Sequence, residues 1–196
     1  MAAAAPSLRR AAIAVALLNL GYFGVEFGVA LAIGSVSLFA DSIDFLEDAS
    51  INLLIAVAIG WSARRRANLG FVLALVLLVP GLATLAMAWH KLGAPIAPDA
   101  TLLTATGAGA LVVNLGCALL LARVKAQGGS LGTAAFLSAR NDVLANIAII
   151  GAGFATAATA SPWPDVVVGV AIGLLNAGAA REVWQAARSE RRELAP

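Results

Sequence analysis

Residues 34–62 read GSVSLFADSIDFLEDASINLLIAVAIGWS. The stretch has the length and apolar content of one membrane-crossing helix, for which roughly 20 mostly apolar residues suffice. Yet it carries Asp41, Asp44, Glu47 and Asp48 within eight positions. An ionisable side chain at bilayer mid-depth costs at least ~2.5–3.5 kcal/mol, so four left charged and unpaired would impose a penalty of order 10 kcal/mol. Such a cluster requires water, protons or a cation. At about 100° per residue, Asp48 lies roughly 40° and Asp41 roughly 60° from Asp44 on the same side, while Glu47 sits about 60° to the other. Asp41, Asp44 and Asp48 therefore share one stripe, which Asn52 continues.

The rest of the chain supplies the setting. Of its 196 residues 61% are hydrophobic and 12% charged, and the mean hydropathy is +0.90. A soluble domain carries about 25% charged residues, and a chain this short has too little interior to hide so much apolar surface. Lipid must be the solvent. Six stretches reach spanning length, at about 11–33, 37–62, 68–91, 101–123, 133–159 and 164–187. They are separated by Gly34-Ser35, Arg64-Arg65-Arg66, the turn from Pro95 to Asp99, the polar run from Lys125 to Ser130, and Ser161-Pro162-Trp163-Pro164. Gly24 with Gly28 and Gly169 with Gly173 make small-xxx-small pairs of the kind that let helices approach closely in lipid.

The expected fold is all-α: a polytopic integral membrane protein, with a six-transmembrane-helix bundle over residues 1–190 and a short tail at 191–196. With the N-terminus inside, the inner segments hold eleven basic residues, while the outer ones hold only Lys91 and Arg140 lies within the fifth stretch. That asymmetry places both termini in the cytoplasm and the chain in a cell membrane, inner or plasma. The arginines at segment ends account for the basic pI without nucleic acid. Arg9-Arg10 before an apolar run resembles a signal peptide, but the run extends to Glu26 with no cleavage site, so it reads as an uncleaved first helix. The single Cys117 forms no internal disulfide.

The fifth stretch carries a second polar stripe, Ser138, Asp142 and Asn146, spaced by four. If the two stripes face each other, Asp44, Asp48, Ser138 and Asp142 converge. Three carboxylates and a hydroxyl, without His or Cys, make a hard oxygen site for a divalent cation. Asp41 reads equally as a support for that site, a ligand on its access path, or a helix N-cap. Glu47, Asn141, Asn146, Glu26 and Arg140 are supporting or proton-relay candidates. Arg140 lies roughly 160° from Asp142 on its helix, so it is expected to pair with Glu47 or Glu26. Asn19 and Asn114 read as interhelical hydrogen bonds. His90 and the four tryptophans (Trp61, Trp89, Trp163 and Trp184) read as interfacial residues.

Residues 34–48, with Asp44-x-x-x-Asp48, and residues 138–146, with Ser138-x-x-x-Asp142, resemble the second and fifth helices of the cation diffusion facilitator family, whose mark in both is His/Asp-x-x-x-Asp. The resemblance covers the whole chain. It implies proton-coupled export of a divalent metal, usually Zn²⁺, commonly by a homodimer. Ser138 stands where zinc members typically carry His, which opens the site to Mn²⁺, Fe²⁺, Co²⁺ or Cd²⁺. The family's usual cytoplasmic metal-binding domain is expected to be missing, so dimerisation through it does not carry over. No permanently bound cofactor is expected; the metal is the substrate, with protons and membrane lipid as the other partners.

Mutually repelling carboxylates in a dry interior would hold protons when empty and release them to an arriving metal. Exchange at one site with alternating access follows, so the chain reads as a secondary transporter rather than an enzyme. Two rivals use the same residues: a sodium/proton or other cation exchanger, and a non-transporting membrane interaction protein that keeps the carboxylates for packing.

Overall fold

The computed structural model describes residues 4–58, 82–93, 95–124 and 129–175 and the single positions 185 and 188, with the backbone alone for 4–7, 55, 58 and 129–138. The described residues contain helices and no strand. The helices are α1 Ala4–Ile33, α2 Val36–Ala58, α3 over 82–93, α4 Ala100–Val124, α5 Gly129–Thr159 and α6 Trp163–Leu175. α1 begins earlier than the hydropathy suggests, because alanines favour helix whether or not lipid surrounds them. Gly129 and Ser130, expected in a loop, open α5 instead. The Arg64–Arg66 stop, the first part of the third stretch and the end of the sixth lie outside the described residues.

Among the described residues three helices are long and apolar enough to cross a membrane: Leu8–Ile33, Ala100–Val124 and Ala139–Thr159. Only 28–33% of the apolar window in each is buried within the chain, and residues such as Leu17, Val25, Val112, Leu119, Ile147 and Phe154 face outward. A water-soluble monomer does not display apolar faces on this scale. α2 is as apolar elsewhere along its length, but its four acids set it apart.

Of the three apolar clusters among the described residues, one joins Val36, Ala88 and Val166 of α2, α3 and α6, and two larger ones hold the bundle. One gathers Ala30, Leu38, Ile43, Leu103, Ile149 and Ile172 near the α1–α2 turn. The other gathers Ala12, Val15, Ala56, Cys117, Leu121 and Ala139 toward the opposite end. α1 packs along α2 and α4, α4 along α5, and α2 against α5. α6 closes on α2 at Gly169, where a Cβ would meet Ser37 N and Val36 C at 2.6 Å. By contrast, Gly24 and Gly28 meet nothing within 4 Å among the described residues.

The α1–α2 turn is fixed from both sides. Gly34 adopts φ 65°, the left-handed conformation that ends α1, and Ser35 N–H donates back to the Ala30 carbonyl at 3.0 Å. Ser35 Oγ then caps α2 by accepting from Leu38 N–H at 3.1 Å. That excludes the capping role for Asp41. The remaining donors of the first turn point at Asp165 of α6. Its Oδ2 accepts from Val36 N–H at 2.9 Å, and its Oδ1 from Ser37 N–H at 3.1 Å, Ser35 Oγ at 2.6 Å and Ser37 Oγ at 2.7 Å. Lys91 of α3 completes the set, 3.1 Å from Asp165 Oδ2, and also donates to the Gly34 carbonyl. Asp165 is 0% and Lys91 8% exposed.

Asp165→Ala leaves Lys91 buried without its partner and orphans the start of α2, and is expected to cost about 3–5 kcal/mol. Lys91→Met leaves Asp165 its four other donors and should cost less. Thermal unfolding of the two purified variants in detergent gives the order; a larger loss for Lys91→Met contradicts this account.

Candidate functional site

Between the two larger apolar clusters lies a polar layer to which α1, α2, α4 and α5 each contribute. α2 supplies Asp41, Asp44, Glu47, Asp48 and Asn52 along its polar stripe, all inside the bundle. α5 supplies Asp142 and Asn146 one turn apart. Asp142 lies within hydrogen-bonding reach of Asp48, and the charges acting on Asp44 are those of Asp142, Asp41, Glu47 and Asp48. Asp44, Asp48 and Asp142 thus feel one another's charge across α2 and α5. Asp48 is enclosed, whereas Asp44 and Asp142 are half-buried, so the group keeps some accessible surface. Among the described residues, however, no three acidic, histidine or cysteine side chains are drawn tightly enough together to hold a metal ion. The side chain of Ser138 lies outside the described residues.

A second acidic pair sits nearer the α1–α2 turn. Asp41 is fully buried, and its Oδ2 accepts from Asn146 Nδ2 at 2.5 Å. Asn146 Oδ1 accepts in turn from Asn114 Nδ2 of α4 at 2.9 Å. Both ends of the Asn146 amide are therefore committed, which fixes the direction it presents to Asp41. Glu26 of α1 faces Asp41. It is 0% exposed, and neither of its carboxyl oxygens has a hydrogen-bond partner other than Asp41 among the described residues. Glu47 lies beside Asp48 and is nearly buried. At the other end of the stripe, Asn52 Nδ2 donates to its own helix at the Asp48 carbonyl, 2.9 Å away.

Arg140 does not pair as expected. It is exposed and donates from Nη2 to Asn141 Oδ1 at 3.4 Å, and no ion pair links it to Glu26 or Glu47 among the described residues. Its position follows from the register of α5: with Asp142 turned to α2, the residue two before it points outward. Asn141 is exposed with it. Both asparagines bridge helices as expected: Asn114 donates to Asn146 of α5, and Asn19 of α1 accepts from Cys117 Sγ of α4 at 3.9 Å.

Sequence reasoning missed three polar contacts. Tyr22 of α1 donates its hydroxyl to the Thr106 carbonyl of α4 at 2.6 Å, a contact that no spacing announces. The fixing of Asp41 by Asn146 was missed as well. Asp165 was passed over although the chain offered a signal: Lys91 and Asp165 are opposite charges expected at the same end of the bundle.

Asn146→Leu strips Asp41 of its donor and leaves Asn114 without an acceptor, whereas Asn114→Leu breaks one bond only. At about 1–3 kcal/mol per orphaned buried group, Asn146→Leu is expected to lower thermal stability by the larger amount. Melting of both variants in the same detergent checks the order.

Two comparisons bear on identity. Among curated proteins none matches the chain. A family model, that of the cation efflux transmembrane domain, matches residues 12–190. That span takes in both acidic helices and nearly all of the 196 residues, so the chain belongs to the cation efflux family, the cation diffusion facilitators, and is a membrane protein that transports cations.

Proposed function

We propose that the protein exports a divalent metal ion from the cytoplasm in exchange for protons, with Asp44 and Asp48 of α2 and Asp142 and Ser138 of α5 as the metal ligands. The observation that carries the reading is the approach of Asp142 to Asp48 across two helices, with Asp44 beside them. Like charges are not brought together in a dry interior unless something between them offsets the repulsion. A divalent cation does so while filling the oxygen coordination of three carboxylates. Protons do so when the metal has left, which couples the two ions through one site.

Binding would draw Asp44 onto the Asp48–Asp142 pair. The half-buried faces of Asp44 and Asp142 are where an ion in water would first meet the group. An all-oxygen ligand set suits Mn²⁺, Fe²⁺ or Co²⁺ as well as Zn²⁺ or Cd²⁺. In the membrane we place six spanning helices, with both termini cytoplasmic by the bias in basic residues, and a homodimer as the working unit.

Proteoliposomes loaded with a metal-sensitive dye test the reading. The wild type is expected to take up divalent metal faster when a proton gradient opposes the metal flux, and Asp48→Asn or Asp142→Asn to bring uptake to the level of empty vesicles. Uptake indifferent to the proton gradient removes the antiport. Sodium-dependent flux without metal flux assigns the same carboxylates to a sodium/proton exchanger instead. Variants that fail to fold while the wild type moves no ion support a packing role.

A further inference from the structure

The Glu26–Asp41 pair is not part of the ligand set just described, yet it has the stronger unmet demand. Three of its carboxyl oxygens, both of Glu26 and Oδ1 of Asp41, have no hydrogen-bond partner outside the pair among the described residues, and both side chains are 0% exposed. An orphaned buried polar atom costs about 1–3 kcal/mol, and more when charged. The basic side chains that might answer it are engaged or turned away: Lys91 is bound to Asp165, and Arg140 faces outward beside Asn141. The charged neighbours of Glu26 are Asp41 and Asp44, which are themselves acidic.

The pair is also held in place. Asn146 and Asn114 form a relay of amides from α4 through α5 that grips one oxygen of Asp41 and leaves the other directed elsewhere. Asp41 lies three residues from Asp44 on the same stripe, about 4.5 Å along the helix axis toward the Gly34 turn. Glu26 approaches from α1, a helix that contributes no ligand to the Asp44–Asp48–Asp142 group. Between that group and the turn, Glu26 and Asp41 are the acidic residues that α1 and α2 supply.

We infer that Glu26 and Asp41 form a second station for the transported divalent cation, one step toward the α1–α2 turn from the Asp44–Asp48–Asp142 group. The inference rests on the proposed cation transport. Two carboxylates offer hard oxygen donors to a divalent ion, and the amide relay keeps Asp41 oriented whether or not the ion is there. Fewer protein ligands than in the main group make the station weaker, which suits a place the ion must leave.

Equilibrium dialysis of the full-length protein in detergent, with Mn²⁺ and separately with Zn²⁺, tests this. The double variant Asp48→Asn/Asp142→Asn disables the main group and is expected to retain a weaker class of bound ion. Adding Glu26→Gln, or separately Asp41→Asn, should weaken that class by roughly tenfold or more, the scale on which loss of one supporting group acts on metal affinity. Glu26→Asp, which keeps the charge, should preserve it; a purely structural role for Glu26 does not distinguish charge from shape in this way. Size-exclusion profile and helical circular dichroism confirm that each variant is folded. No residual binding in the double variant, or residual binding unmoved by Glu26→Gln and Asp41→Asn, overturns the station and leaves the main group standing. A wild type that binds neither metal sinks both.

Discussion

A carboxylate in a low-dielectric interior has to be answered by protons, donors or a positive charge, and this chain answers its buried acids in two different ways. Asp165 is answered completely. Two backbone N–H groups, two serine hydroxyls and an ammonium surround it, and nothing is left for a ligand. The acids of α2 are answered with one another, with asparagine amides and with acids from α1 and α5. The contrast separates an acid that holds the bundle together from acids that keep capacity in reserve.

The arrangement of apolar material gives that reserve its setting. One cluster packs around Leu38, Leu103 and Ile149 and the other around Val15, Cys117 and Leu121. The polar layer between them has closed ends, and the outer faces of the helices are apolar. Of the acids in the layer, Asp44 and Asp142 are only partly buried, whereas Asp41 and Asp48 are enclosed. Four helices meet at the layer. α3 and α6 attach at the turn end, through Lys91, Asp165 and Gly169, and among the described residues contribute no acid to the acidic pairs.

Much of this is legible in the sequence because the membrane makes the signals strong. Apolar runs of spanning length gave α1, α2, α4 and α5 to within a few residues at most ends. The acids of α2 were conspicuous because a lipid-facing helix has no use for them. A spacing of four put Asp44 with Asp48 and Asp142 with Asn146. A helical wheel, however, gives directions about one axis and says nothing of which neighbour stands there. That is why Arg140 could be turned from Asp142 correctly and still be paired with the wrong acids. The same gap hid the Lys91–Asp165 pair and the Asn114–Asn146–Asp41 relay, whose members are far apart in sequence. Glu26 was visible as an anomaly, but its facing Asp41 was not.

The bracing of the α1–α2 corner has a mechanical corollary. Gly34 closes one helix, Ser35 opens the next, and Asp165 bolts that opening to α3 and α6, so the corner itself has little slack. A rigid tilt of α2 would therefore pivot near Val36. Asp41 lies about 7.5 Å from the pivot and Asp48 about 18 Å. A tilt of about 10° shifts the former by only ~1.3 Å and the latter by ~3 Å. In such a tilt the far half of the stripe would have the longer stroke, and the near half would stay close to stationary.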